Sequence, residues 1–251
     1  IEGGYNVVGA VTVPDKKSGR GQKINCSAVK QYLLSLSEDG LTPAIPLLQP
    51  ESMKDPQFLE DLRAFNADIF VVVAFRMLPR AVWAMPPKGT FNLHASLLPA
   101  YRGAAPINWA IINGEKVTGV TTFLLDEHID TGEIIFTESV EIERQDNIGT
   151  LHDKLMEVGS RLVCKTVDAL QSGNVQTQPQ TQSVESVPEY ARYAPKLTPA
   201  TGKIDWNSSA EQIYNLVRGL SPRPGTHSTL CFDEQQLEMK IFAVDVVSPE
   251  L

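Results

Sequence analysis

Residues 68–75 read DIFVVVAF, and a strand of this kind is apolar on both of its alternating sides. Successive strand residues point to opposite faces of a sheet, so such a strand needs cover on both. Helices packed on a mostly parallel sheet supply that cover. The neighbouring segments agree. YNVVGAVTV (5–13) is β-branched and apolar, and SAVKQYLLSL (27–36) puts Val29, Tyr32, Leu33 and Leu36 on one helical face. Asp55 and Pro56 make an N-cap and first-turn pair for the helix PQFLEDLRAF (56–65). GVTTFLLDEHIDTGEIIFTESVEI (119–142) gives two strands joined by an acidic loop. A long helix follows, with Leu151, Leu155, Val158 and Leu162 at helical intervals. The fold class expected is α/β.

The 251 residues suffice for one large domain or two ordinary ones. After Gly173 the chain turns to Gln, Thr and Pro with little apolar periodicity, which reads as a linker. Ser208 and Glu211 then make a capping-box pair ahead of the helix AEQIYNLVRGL (210–220), and short β segments begin near His227. The expected division is a catalytic domain over 1–173, a linker over 174–205 and the start of a small β-rich domain over 206–251. The chain opens without Met, as though mid-domain, and closes directly after a strand, so both ends are expected to be internal cuts.

A net charge of −8 argues against a general nucleic-acid or membrane coat. Cys26, Cys164 and Cys231 are widely spaced, which suits reduced thiols in the cytoplasm better than disulfides or zinc. No apolar run approaches a membrane span, and no signal peptide is visible. No metal is expected. The lack of G-x-G-x-x-G speaks against a dinucleotide cofactor.

The stretch TFNLHASLLPAYRGAAP (90–106) sets Asn92 and His94 on one side of a strand, where packing alone would choose valine or isoleucine. Asp130 closes the acidic loop DEHIDTG (126–132). Together these types suit acyl transfer to an amine. Histidine moves protons near neutral pH, an asparagine amide donates to an oxyanion, and a carboxylate orients the imidazole. Each also has an ordinary use: a satisfied strand histidine, an amide bonded to backbone, an Asp-Thr-Gly turn. Spacing alone leaves the reaction open.

FNLHASLLPAYRGAAPINWAIINGE (91–115) with TGVTTFLLDEHIDTGEII (118–135) resembles the folate-dependent formyltransferases. The resemblance implies a Rossmann-like domain followed by a small OB-like one, with 10-formyltetrahydrofolate as co-substrate. It puts Asn92, His94 and Asp130 in the catalytic roles. It places Ser96, Leu97, Leu98 and Pro99 along the folate site, with a cis Leu98–Pro99 bond. AFRMLP (74–79) resembles the pterin loop and brings in Arg76, Met77 and Leu78; Asp126 to Asp130 forms the opposite wall.

Between Pro14 and Lys23, the cations Lys16, Lys17, Arg20 and Lys23 face one acid, Asp15. This segment resembles the inserted loop with which some members reach initiator methionyl-tRNA, so it is the expected tRNA contact, mobile in the free protein. A solvated loop is the plainer alternative, and a small amine such as a sugar nucleotide is the alternative substrate. A monomer is expected. The resemblance also implies a strand and helix ahead of residue 1 and further domain beyond 251.

Overall fold

The computed structural model describes residues 3–18, 23–38, 45–74, 77–180, 184–233 and 235–247. It forms two compact units, one of residues 1–70 and 75–90, the other of 71–74 and 91–251.

In the first unit, β1 (Ala10–Val11) pairs in parallel with β4 (Leu47–Leu48). The strand expected over 5–13 is thus reduced to two paired residues. At Gly9 an added Cβ would stand 2.3 Å from the Phe65 ring, so only glycine lets that ring close in. Between these strands, β2 (Lys16–Ser18) and β3 (Lys23–Asn25) form an antiparallel hairpin ahead of helix α1 (Ala28–Glu38). Val29 and Tyr32 of α1 are exposed, whereas Leu33 and Leu36 are half-buried, so the buried stripe is narrower than expected. Helix α2 (Pro56–Ala64) begins as anticipated, with Asp55 Oδ1 accepting from Gln57 N–H and proline in the first turn. Phe58 and Leu62 of α2 pack with Val82 into the core of this unit, joined by Leu78 and Phe70.

The principal sheet has the order β5 (Phe70–Val73), β6 (Thr90–His94), β8 (Val117–Leu124), β9 (Ile134–Glu141). Helix α3 (Arg80–Trp83) lies between β5 and β6 in the chain. Val71 and Val73 are exposed, while Phe70 and Val72 are half-buried. Burial therefore alternates where continuous burial was expected. β5 ends the strand order. β6–β8 and β8–β9 are antiparallel; parallel pairing occurs at β1–β4 and between β7 (Arg102–Gly103) and β10 (Tyr193–Ala194). The α/β class is that expected, with a mixed sheet set.

Helix α4 (Pro106–Ile112) follows β7, and the 25-residue α5 (Ile148–Ser172) follows β9. An Asn147/Thr150 capping box opens α5, and Gly173, at φ +72°, closes it. Leu151, Leu155 and Leu162 of α5 are buried with Ala110, Ile111 and Val120 in the core of the second unit. Gly159 lets α5 lie close on β6, since a Cβ there would meet Leu93 Cδ2 at 2.8 Å. Thr166 of α5 also bonds Thr122, the β8 partner of Leu93. Leu93 thus faces α5, and strand alternation turns its neighbours Asn92 and His94 to the opposite side.

The stretch read as a linker is packed into the second unit. It contains helix α6 (Glu189–Arg192) and β10, and Ala191 and Ala194 are buried. Their carbonyls accept from Tyr101, Ala104 and Ala105 N–H. These contacts use backbone and two small side chains, so no hydrophobic period marks them. Helix α7 (Ala210–Leu220) packs on α4, with Asn108 Nδ2 donating to Gly219 O at 2.7 Å. Its capping box is Ser209 with Gln212, one residue later than expected. Ser208 N–H closes a turn onto Asp205 O, which leaves Glu211 to meet Arg144. A hairpin of β11 (Thr226–Phe232) and β12 (Gln235–Ile241) follows.

Candidate active site

Strand β6 delivers Asn92 and His94. His94 is buried, and its Nε2 lies 2.9 Å from Tyr101 O. A carbonyl only accepts, so Nε2 carries the proton and Nδ1 is the nitrogen left for chemistry. Nδ1 faces Asp130 Oδ2 at 3.8 Å, an ion-pair separation longer than a hydrogen bond. Asp130 Oδ2 in turn accepts from Gly103 N–H at 2.9 Å. The Tyr-Arg-Gly turn that breaks the apolar run after Pro99 therefore supplies a carbonyl for the histidine and an amide for the aspartate.

The turn is costly to build. Tyr101 sits at φ +57°, uncommon for a bulky residue, and its buried side chain anchors it through Oη to Glu115 Oε1 at 2.7 Å. Burial, reinforced by Glu115, pushes the Tyr101 phenol well above its ordinary pKa. Gly103 sits at φ +124°, where a Cβ would meet Ala194 O at 2.7 Å, so this position requires glycine.

Asn92 Oδ1 is buried with no hydrogen-bond partner among the described residues. A buried, unpaired amide oxygen is expensive in a folded chain and fits a position that meets a ligand.

Other expected residues have structural work. Ser96 Oγ donates to Ala100 O at 2.6 Å, and Ser96 O accepts from Thr121 Oγ1. Thr121 also accepts from Leu98 N–H, so the segment after β6 is folded onto β8. Leu97 is half-buried, Leu98 and Pro99 are buried, and the Leu98–Pro99 bond is cis as expected. Asp126 accepts from His128 N–H and Thr131 Oγ1, which commits its carboxylate to its own loop. Met77 is exposed and Leu78 packs in the core of the first unit. Arg76 lies outside the described residues.

Lys16, Lys17 and Lys23 fall on the β2–β3 hairpin, where Lys17 pairs with Ile24 and Ser18 with Lys23; Arg20 lies outside the described residues. The hairpin replaces the irregular loop expected for these flanks. Asp15, the acid of this segment, is bound by Lys30 at 2.6 Å and by Gln49 at 2.9 Å. Those two hydrogen bonds hold its carboxyl below the usual range.

Gln180 was missed by sequence reasoning. It is buried and reaches both Arg102 and the Asp130 loop. Its only signal was its place in a Gln-rich run, where nothing distinguishes it from Gln171, Gln176, Gln178 and Gln182 nearby. No group of three His, Cys, Asp or Glu able to hold a metal occurs among the described residues. No described helix is long and apolar enough to cross a membrane.

Comparison with known proteins gives a consistent result. The family model described as Formyl transferase matches residues 2–167, and that for the formyl transferase C-terminal domain matches 196–250. Methionyl-tRNA formyltransferase of Bacteroides fragilis is 52% identical over 243 residues, covering 96% of this chain and 72% of the relative. That of Flavobacterium johnsoniae is 51% identical, covering 96% and 73%. Among solved structures, a sugar N-formyltransferase from a Shewanella species aligns with a TM-score of 0.62 at 18% identity, covering 97% of this chain and 100% of that one. HypX from Aquifex aeolicus in complex with tetrahydrofolic acid aligns at 0.62 and 17% identity, covering 90% and 36%. At such identities the structural likeness speaks to fold.

Proposed function

The chain belongs to the formyl transferase family, and from that premise we propose that it transfers the formyl group of 10-formyltetrahydrofolate to the amino group of initiator methionyl-tRNA. The observation that carries this reading is the 52% identity, across 96% of the chain, to relatives named for that activity. The sugar N-formyltransferase shares the fold at 18% identity and gives a small-amine substrate no comparable support.

The chemistry asks for three services. The amine nitrogen attacks the formyl carbon, a C–N bond forms, and the carbonyl oxygen becomes an oxyanion. The bond from that carbon to the folate nitrogen then breaks, and the proton lost by the amine ends on that nitrogen. Asn92 Nδ2 serves the oxyanion, and its unpaired Oδ1 is available to an N–H of the incoming amine. His94, with Nε2–H fixed on Tyr101 O, exchanges protons through Nδ1. Asp130, held by Gly103 N–H, supplies the carboxylate beside Nδ1. No covalent enzyme intermediate is needed, because the amine is itself the nucleophile.

Lys16, Lys17, Arg20 and Lys23 are the proposed tRNA contacts, and Arg76, Met77, Leu78 and residues 96–99 the proposed folate contacts; both sets rest on resemblance. The first family match ends at 167, which supports a boundary near 173; the second begins at 196, inside the segment read as a linker and ahead of 206. The reading carries a cytoplasmic location with it. Formylation of methionyl-tRNA, compared with aminosugar nucleotides under one donor, tests the substrate.

A further inference from the structure

Gln180 is 2% exposed, and both ends of its amide are engaged. Its Nε2 donates to Asp130 O at 3.1 Å and to Gly132 O at 2.7 Å. Its Oε1 accepts from Arg102 Nε at 3.1 Å and Nη2 at 2.6 Å. Arg102 directly precedes Gly103, whose N–H holds the Asp130 carboxylate. One side chain therefore ties together the loop that carries the carboxylate and the strand that donates to it.

Two further observations give this tie a purpose. Asp130 stands at φ +55°, a conformation that persists in a non-glycine residue only where its surroundings enforce it. Gln180 is itself held in register, since Gln178 and Ile134 exchange both backbone hydrogen bonds at 2.9 Å. The residue type is also restricted. The site needs two donors toward carbonyls and one acceptor toward a guanidinium, and an amide supplies that set. Glutamate would set an oxygen against two carbonyl oxygens. Methionine would fill the volume and leave buried polar groups unpaired.

We infer that Gln180 is a positioning residue for the reaction, fixing the Asp130 carboxylate between Gly103 N–H and His94 Nδ1. The inference rests on the active-site reading above, in which Asp130 serves the proton transfer. It gives the segment that joins the two family matches a part in catalysis beyond connecting them.

The test is a double-mutant cycle of Gln180→Met and Asp130→Ala, with formylation of methionyl-tRNA by 10-formyltetrahydrofolate as the assay. Gln180→Met should lower kcat on the order of 10- to 100-fold, the scale of a misplaced catalytic group. In the Asp130→Ala background the same substitution should cost nothing further, because there is no carboxylate left to place. An equal loss in both backgrounds would mean that Gln180 acts on the fold at large and would overturn the inference. Normal turnover by Gln180→Met beside an impaired Asp130→Ala would overturn it alone. Normal turnover by Asp130→Ala would overturn the active-site reading and the inference with it. Should Gln180→Met not fold, Gln180→Glu completes the same cycle. It keeps the volume and the Arg102 contact, and turnover at the parent level would again refute the assignment.

Discussion

Gly132→Ala is the perturbation whose cost the structure states most directly. A Cβ at residue 132 would stand 1.7 Å from Leu124 O and 3.4 Å from Phe123 Cδ2. Ordinary contact begins at about 3.4 Å, so the chain must retreat by about 1.7 Å. Two bonds stand in the way of that retreat: Leu124 N–H to Glu133 O at 2.9 Å and Gln180 Nε2 to Gly132 O at 2.7 Å. Overpacking of this kind costs about 1–3 kcal/mol, a few degrees in Tm for a chain of this size. Asp130 lies two residues away, and a shift near 1 Å at a catalytic group costs on the order of 100-fold in rate. Gly173→Ala is the control. It sits at φ +72° with no atom within 4 Å of an added Cβ, so it should lose about 1–2 kcal/mol of stability and none of the rate. Steady-state formylation and thermal unfolding of both variants would be measured together. If Gly132→Ala keeps parental kcat, or Gly173→Ala loses it in proportion to Tm, the tight approach of the loop to β8 does not set the reaction geometry.

His94→Ala should lower kcat by ~10²–10⁴-fold and Asn92→Ala by ~10²–10³-fold, with folate affinity by equilibrium titration nearly unchanged. Parental turnover in either would remove that residue from the mechanism. Replacing Lys16, Lys17 and Lys23 together with Ala should raise KM for methionyl-tRNA. It should also flatten the salt dependence of kcat/KM by about 0.7–0.9 in logarithmic slope per lost phosphate contact, and an unchanged salt series would return the hairpin to a solvated role. Asp146 provides a pH test. Burial pushes its carboxyl up, but hydrogen bonds from Lys154, Glu143 N–H and Thr150 outweigh that and hold it below the ordinary value. A depressed carboxylate adds stability above its unfolded pKa and loses it as pH falls through the folded one. The Tm gap between the parent and Asp146→Asn should therefore be full at pH 6 and close in acid below about pH 4. A gap independent of pH would show that the charge contributes nothing.

The candidate site was legible because chemistry and geometry leave one-letter traces: an amide and an imidazole two apart on a strand, then Asp-Thr-Gly. The α5 period and the Asp55 cap were legible for the same reason, since burial and capping select residue types at fixed spacing. What surrounds His94 and Asp130 was not. Tyr101 holds the histidine with a carbonyl, and Gly103 holds the aspartate with an N–H, groups that every residue carries. Ala191 and Ala194 join the core with two methyls and backbone bonds, so the segment around them looked like a linker. The run at 70–73 misled in the other direction, because β-branched residues favour a strand whether or not both faces are covered.

The pairing of a folate donor with a tRNA acceptor can be put to a direct comparison of substrates. With 10-formyltetrahydrofolate as donor, kcat/KM would be compared for initiator methionyl-tRNA and for a panel of amino-sugar nucleotides, using the parent chain and its Asn92→Ala variant. Methionyl-tRNA should be turned over, the substitution should lower that turnover by ~10²–10³-fold, and the amino sugars should give at most traces of product. Efficient formylation of an amino sugar beside inert methionyl-tRNA would contradict that pairing.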